Sequence, residues 1–133
     1  MDIVRRCPEN SHLKLAQVRD LRVVPVDSAT KQVFETQGKV ALICGVSQYP
    51  AGSGLRPLKY AVRDADALAA ALKAQGYLVK MLKEGEATRG IIRNTLRKLA
   101  GAVEPDQGAL LFFFGGHGFA MNGVNYLAPT ASA

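Results

Sequence analysis

The sequence "LLFFFGGHGF" (residues 110–119) places a run of large apolar side chains before two glycines and a single histidine. A continuous apolar run of this kind is typical of a strand that is buried on both faces of a parallel sheet. A second such run, "KVALICGV" (residues 39–46), also contains a glycine near its end. We therefore expect two buried strands, with a third between them along the chain.

The residues between these runs predict a helix, a strand and another helix. Residues 60–75 carry apolar side chains at helical spacing, and Gly76 is placed to end that helix. "YLVKML" (residues 77–82) predicts the second strand, and Thr88 is a suitable N-cap for the second helix. Crossovers of this length join parallel strands, so the predicted fold class is α/β. "GVNYLAP" (residues 123–129) fits either a short strand or a loop.

The domain is predicted to cover residues 39–133. Residues 1–38 carry only weak β-like stretches, at residues 21–26 and 32–34, and are interpreted as an N-terminal extension. Two glycine-rich segments, residues 45–54 and 115–118, follow the ends of the first and third strands. Catalytic and binding groups of open parallel sheets gather at such strand ends.

Composition excludes several classes of protein. The chain has 133 residues, the size of one domain, and no apolar run long enough for a membrane helix. It begins with no secretory signal, so a cytoplasmic location is expected. Cys7 and Cys44 form neither a disulfide framework nor a metal cluster, and no metal site is predicted. The net charge is +6, but basic and acidic residues are interleaved, so neither nucleic acid nor membrane is expected as a partner.

His117 is the candidate for proton transfer. It lies at a predicted strand end between Gly116 and Gly118, where missing side chains allow a substrate to approach the imidazole. A neutral imidazole accepts a proton at physiological pH, so the position suits a general base. The alternative is a histidine that merely ends a strand in a solvated loop.

Four segments together resemble the caspase and metacaspase-like cysteine peptidases. They are "ALICGVSQY" (residues 41–49), "LKYAVRDADALAAAL" (residues 58–72), "LLFFFGGHG" (residues 110–118) and "NYLAP" (residues 125–129). The resemblance extends over about residues 39 to 130. It implies a three-layer α/β/α fold with a mainly parallel sheet, and a catalytic histidine that works with a cysteine following the fourth strand.

Carried over to this sequence, the resemblance assigns His117 as the catalytic general acid and base. The backbone N–H of Gly118 would help to form the oxyanion hole, and Gly115 and Gly116 would border the substrate. Asp64 matches the acidic residue of family members that cleave after basic residues, although it also fits a carboxylate favoured at a helix N-terminus. Leu58 stands where aspartate-specific caspases carry arginine, so basic specificity is expected. Two departures, Gly115 for a serine and Ala61 for a cysteine, leave the pocket details open.

The sequence lacks the cysteine nucleophile that the resemblance implies. Caspase-like cysteines lie about 50 residues after the histidine, and no cysteine follows His117. Cys44 is interpreted as a buried apolar residue, and Cys7 would need a different chain order. We therefore expect a fragment holding the histidine half of a peptidase domain, incomplete on its C-terminal side and inactive alone. Its third strand would expose an edge, which predicts self-association or pairing with the missing C-terminal segment.

Two other functions stay open at this level. One is a caspase-fold scaffold or regulatory module that lacks catalysis. The other is a flavodoxin-like ligand-binding domain with "GVSQYPAGSG" (residues 45–54) as phosphate loop, although this loop lacks a phosphate-binding lysine. No cofactor is expected; calcium activation is suggested only because some metacaspases use it. The expected partner is a protein or peptide substrate.

Overall fold

The structure is a computed structural model that describes residues 25–131. Its helices are α1 (Ser28–Thr36), α2 (Ala61–Ala74) and α3 (Arg89–Gly101), and its strands are β1 (Gly38–Gly45), β2 (Leu78–Lys83), β3 (Gly108–Gly115), β4 (Gly118–Met121) and β5 (Val124–Leu127). A 3₁₀ turn, Glu84–Glu86, joins β2 to α3. Strands β2, β1 and β3 form a parallel sheet in that order, and β4 pairs with β5 as an antiparallel hairpin.

Strand β1 is the centre of the sheet, as its continuous apolar sequence predicts. Its alternate side chains enter two separate cores. Val40, Leu42 and Cys44 pack on the side of α3, whereas Ala41 and Ile43 pack against α2. The predicted three-layer α/β/α arrangement with a parallel sheet is therefore confirmed.

Helices α2 and α3 begin and end close to where the sequence predicts. Gly76 follows α2 with a φ of 84°, a left-handed conformation that glycine adopts without steric cost. The Thr88 hydroxyl accepts a hydrogen bond from the backbone N–H of Ile91 at 3.3 Å, which caps the N-terminus of α3. These two ends fix the directions in which the chain enters β2 and leaves the 3₁₀ turn.

One expectation about residues 1–38 needs correction. The predicted β-like stretch at residues 32–34 lies inside α1, whose N-terminus is capped by Asp27 through the Thr30 N–H at 2.9 Å. A local cap and helical pairing override the weak β pattern here. Strand β1 begins at Gly38, within the predicted extension. Of the stretch at residues 21–26, only 25 and 26 are described, and they belong to no strand.

The glycine-rich segment at residues 115–118 leads from β3 directly into a hairpin. Gly115 ends β3, and Gly118 is already the first residue of β4. Asn122 and Gly123 join β4 to β5 with φ values of 52° and 74°. Two successive left-handed residues make the tight turn that suits the twist of a hairpin. "GVNYLAP" thus contains a strand, β5.

No helix within residues 25–131 combines the length and the apolar character that crossing a bilayer requires.

Candidate functional site

His117 lies between β3 and β4, at the carboxyl edge of the parallel sheet, and its side chain is half-buried. Its Nε2 atom is 2.8 Å from the carbonyl oxygen of Arg56, which belongs to the loop between β1 and α2. A carbonyl oxygen only accepts hydrogen bonds, so this contact places the proton on Nε2. The neutral ring then keeps Nδ1 as its proton acceptor, which is the state that a general base needs.

Tyr49 holds the backbone of the same histidine. Its hydroxyl accepts the His117 N–H at 2.9 Å and donates to the Ala128 carbonyl oxygen at 2.9 Å, while the Ala128 N–H donates directly to the His117 carbonyl at 2.8 Å. In a regular antiparallel pair, residues 117 and 128 would exchange two direct backbone hydrogen bonds. Here one of the two is direct, and the Tyr49 hydroxyl bridges the N–H and the carbonyl of the other. Its ring also meets the imidazole edge to face, with ring centroids 5.1 Å apart.

The Tyr49 hydroxyl stays protonated in this position. Burial is the largest effect and raises the pKa of the Tyr49 hydroxyl; the hydrogen bond from the His117 N–H lowers this pKa by less, and the charge of Glu84 raises it slightly further. A protonated hydroxyl can donate to Ala128 while it accepts from His117. Tyr49 thus joins the backbone of the candidate catalytic residue to Ala128, which follows β5.

Gly118, the predicted oxyanion donor, is exposed at the start of β4 and pairs with Leu127. Hydrogen-bonded and non-hydrogen-bonded pairs alternate along an antiparallel ladder. Since residues 117 and 128 share the ladder bonds, the pair of Gly118 and Leu127 is a non-hydrogen-bonded one. The Gly118 N–H therefore points away from β5, on the side where an acceptor could approach it.

Gly115 and Gly116 are sites of close packing. A Cβ atom on Gly115 would lie 3.1 Å from the Ala61 carbonyl oxygen, and one on Gly116 would lie 2.8 Å from the Tyr49 hydroxyl and closer still to the Phe114 ring. Glycine at 116 is therefore required for the contact between Tyr49 and His117. The role of both glycines beside a substrate stays a prediction.

Asp64 lies in the first turn of α2 with its side chain exposed. Within residues 25–131 its carboxylate makes no hydrogen bond or ion pair. It shares the carboxyl edge of the sheet with His117 but makes no contact with it. A carboxylate in the first turn of a helix is favoured by the helix dipole, and its exposure also leaves it accessible to a substrate.

Cys44, by contrast, lies inside the molecule. Its side chain is fully buried in the core between β1 and α3, and it carries no disulfide. Burial raises the pKa of the Cys44 thiol to about 12. A neutral, inaccessible thiol cannot attack a substrate, which agrees with its interpretation as an apolar residue. Cys7 lies outside the described residues.

Sequence reasoning missed the role of Glu84. Its carboxylate accepts the backbone N–H groups of Ser47 and Gln48 at 3.0 to 3.3 Å, at the end of β1. Its own carbonyl accepts the Thr130 hydroxyl at 2.7 Å. Glu84 has a φ of 48°, which is uncommon outside glycine and asparagine, and this was not readable from its sequence neighbourhood.

The Glu84 contacts also bear on the phosphate-loop alternative. The N–H groups that a phosphate would need at the start of the loop after β1 are already occupied by a carboxylate. Across the described part of the chain, no three histidine, cysteine, aspartate or glutamate side chains converge as metal ligands. The suggested activation by calcium stays untested.

A scan against protein-family models matches residues 38–132 to the caspase domain. The chain belongs to the caspase-domain family. Searches of curated proteins and of solved structures found no significant match. The matched residues contain the parallel sheet, both covering helices and the β4–β5 hairpin, so the predicted family and fold are confirmed. Caspase-domain membership gives no support to a flavodoxin-like function.

Proposed function

We propose that this caspase domain is the histidine-bearing part of a cysteine endopeptidase, with His117 as its general acid and base. The observation that carries the proposal is the Nε2 contact with the Arg56 carbonyl, which leaves Nδ1 free to accept a proton at the sheet edge. In the reaction, Nδ1 takes the thiol proton, and the thiolate adds to the scissile carbonyl. The imidazolium then protonates the leaving amine, and water deprotonated by the neutral ring releases the acyl group.

Gly118 would stabilise the oxyanion of this reaction. Its N–H points away from the hairpin partner strand, and loss of one such donor typically costs about a hundredfold or more in rate. Because the donor is a backbone group, it needs no side chain to be oriented. The hairpin holds it beside His117.

The nucleophile is a cysteine other than Cys44, since that thiol is buried. We infer that it comes from a segment outside residues 25–131 that pairs with this half of the domain, and that the 133 residues alone are inactive. The protein or peptide substrate is cleaved after a basic residue, with the exposed Asp64 carboxylate as its partner.

The test uses the full-length gene product and fluorogenic peptides that end in arginine, lysine or aspartate, with and without calcium. His117→Ala should lower kcat by about a hundredfold or more because general acid–base catalysis is removed. His12→Ala, which changes the other histidine, is the matched control and should keep the activity. Asp64→Asn should raise KM for the arginine and lysine peptides. Unchanged activity of His117→Ala would remove the catalytic role.

The second candidate is a caspase-fold scaffold without catalysis. The burial of Cys44 favours it, because the described residues then hold no usable nucleophile. The same assay separates the two functions. A full-length product that cleaves none of the three peptides, and that no thiol-alkylating inhibitor labels, would support the scaffold.

A further inference from the structure

Helix α3 carries a row of arginines with no acidic partner. Arg89, Arg93 and Arg97 are all exposed, and the helix sequence "RGIIRNTLRKLAG" contains neither aspartate nor glutamate. Spaced four residues apart, the three side chains project within an arc of about 80°. In the part of the chain that the structure describes, none of them forms an ion pair. A stripe of unneutralised charge attracts an anionic partner.

An apolar cavity of about 430 Å³ opens at one end of this row. Among the described residues that line it, Arg89 alone is charged. The other lining residues are Ile92, Phe114, Phe119, Tyr126, Leu127, Ala128 and Pro129. The volume is that of pockets which enclose a small ligand or a few apolar groups. The arginine row and the cavity therefore form one continuous surface, which we name the α3 surface.

We propose that the α3 surface binds an extended acidic peptide segment that inserts one large apolar side chain into the cavity. Successive arginines of the row are about 6 Å apart along the helix axis. Residues two apart in an extended peptide are about 6.7 Å apart and project on the same side. Acidic residues at every second position therefore match the row, with the apolar residue beyond Arg89.

The cavity favours a peptide over a nucleic acid. Phe119 and Tyr126 stack on each other with ring centroids 5.2 Å apart, so one face of each ring is already occupied. Single-stranded nucleic acids bind by stacking successive bases on separate aromatic side chains, whereas these two rings stack on each other. The aliphatic residues of the lining suit a hydrophobic side chain instead. Ala128 lines the cavity and is hydrogen-bonded to the backbone of His117, but the inference makes no use of the His117 imidazole. It does not depend on the proposed peptidase activity.

The test is fluorescence anisotropy with the whole chain and a labelled peptide that contains one phenylalanine followed by three glutamates at alternate positions. A second peptide of reversed order tests the opposite direction. Binding should weaken as salt is raised. Replacing the phenylalanine by serine should weaken it about fivefold or more, because the cavity then stays unfilled.

Two protein variants separate the parts of the surface. Arg93→Glu with Arg97→Glu should weaken binding about tenfold or more, since two attractive contacts become repulsive. Arg63→Glu with Lys73→Glu makes the same change of net charge on α2, in the opposite layer, and should change the affinity by less than about twofold. Phe119→Ala tests the cavity. Circular dichroism checks folding, and Arg93→Gln with Arg97→Gln replaces the charge reversal if that variant unfolds.

Three results would overturn the proposal. The first is that neither peptide binds the wild-type chain at low salt. The second is that the α2 variant weakens binding as much as the α3 variant, which would indicate net charge alone. The third is that a single-stranded DNA oligonucleotide binds more tightly than both peptides and loses affinity with the α3 variant but not with Phe119→Ala, which would indicate a nucleic-acid surface.

Discussion

Tyr49 connects parts of the chain that are distant in sequence. It lies 68 residues before His117 and 79 before Ala128, yet one hydroxyl joins the two. Tyr49 follows β1, which pairs with β3 up to Gly45 and Gly115, so both residues lie near the same end of the sheet. The backbone of His117 is therefore held by a residue from the neighbouring strand end, which suits a group that must stay in one position for proton transfer.

Tyr49→Phe tests this role at the level of one oxygen atom. The variant keeps the ring but leaves the His117 N–H and the Ala128 carbonyl without their partner, so we expect a loss of about 1–3 kcal/mol in the free energy of unfolding. Urea denaturation measures it. Tyr60→Phe is the control, because Tyr60 is half-exposed and its hydroxyl makes no hydrogen bond within residues 25–131. Equal losses in the two variants would contradict the role of the Tyr49 hydroxyl.

Cys44 provides a prediction about pH. Burial raises the pKa of its thiol from an ordinary value of 9.0 to about 12, so the folded state disfavours the thiolate. Below about pH 9 the thiol is neutral in the folded and the unfolded chain, and stability does not depend on it. Between pH 9 and 12 the unfolded chain alone loses the proton, so the free energy of unfolding falls.

The measurement uses a Cys7→Ser background, in which Cys44 is the remaining cysteine. Iodoacetamide should label it slowly at pH 8 in buffer and rapidly in urea. The urea midpoint should fall more steeply above pH 9 than in the additional Cys44→Ala variant. Rapid labelling of the folded chain at pH 8 would show an accessible, reactive thiol and would contradict the interpretation of Cys44 as a buried apolar residue.

Among the elements, the junction of β2 and α3 supports the loop that follows β1, through hydrogen bonds to Glu84. The Glu84 carboxylate receives the N–H groups of Ser47 and Gln48, and the Ser47 hydroxyl in turn accepts the Val62 N–H at the start of α2. The Leu58 N–H donates to the Ser47 carbonyl, close to the Arg56 carbonyl that contacts His117. The Glu84 carboxylate therefore supports the loop whose Arg56 carbonyl determines the tautomer of the His117 imidazole.

Glu84→Gln should destabilise the chain by about 1–2 kcal/mol, because hydrogen bonds to a charged acceptor become weaker ones to a neutral amide. Glu86→Gln is the control; its carboxylate is exposed and accepts a single long bond of 3.4 Å from the Lys83 N–H. Thermal unfolding compares the two variants, and two-dimensional NMR should show shifted His117 ring signals in Glu84→Gln alone. If the His117 signals do not shift, the Glu84 contacts do not influence the imidazole through this loop.

The elements that sequence predicts are those determined by local patterns. The apolar run of β1, the Thr88 cap and the Gly76 stop each act within a few residues, and all three are confirmed. The β4–β5 hairpin was missed although its Asn122–Gly123 turn is a local signal. The contacts of Tyr49 and Glu84 join residues at least 36 positions apart, and only the folded sheet determines which of them meet.

The whole molecule has a sheet with two unlike edges. Strand β2 carries Lys80 and Lys83 on one edge, a common protection against pairing with another chain. Strand β3, "GALLFFFG", carries no charge, and within residues 25–131 it pairs only with β1. Its free row of backbone groups therefore favours a further strand, either from another segment or from a second copy.

Self-association through β3 should appear as a molar mass that rises with concentration in light scattering. Leu110, on β3, is 43% exposed, and Leu110→Lys places a charge on this edge strand and should restore the monomer. Leu78→Lys makes the same change on β2, where the residue is 65% exposed, and should leave the association unchanged. If the wild-type chain stays monomeric at all concentrations, or if both variants behave alike, the uncharged edge does not direct assembly.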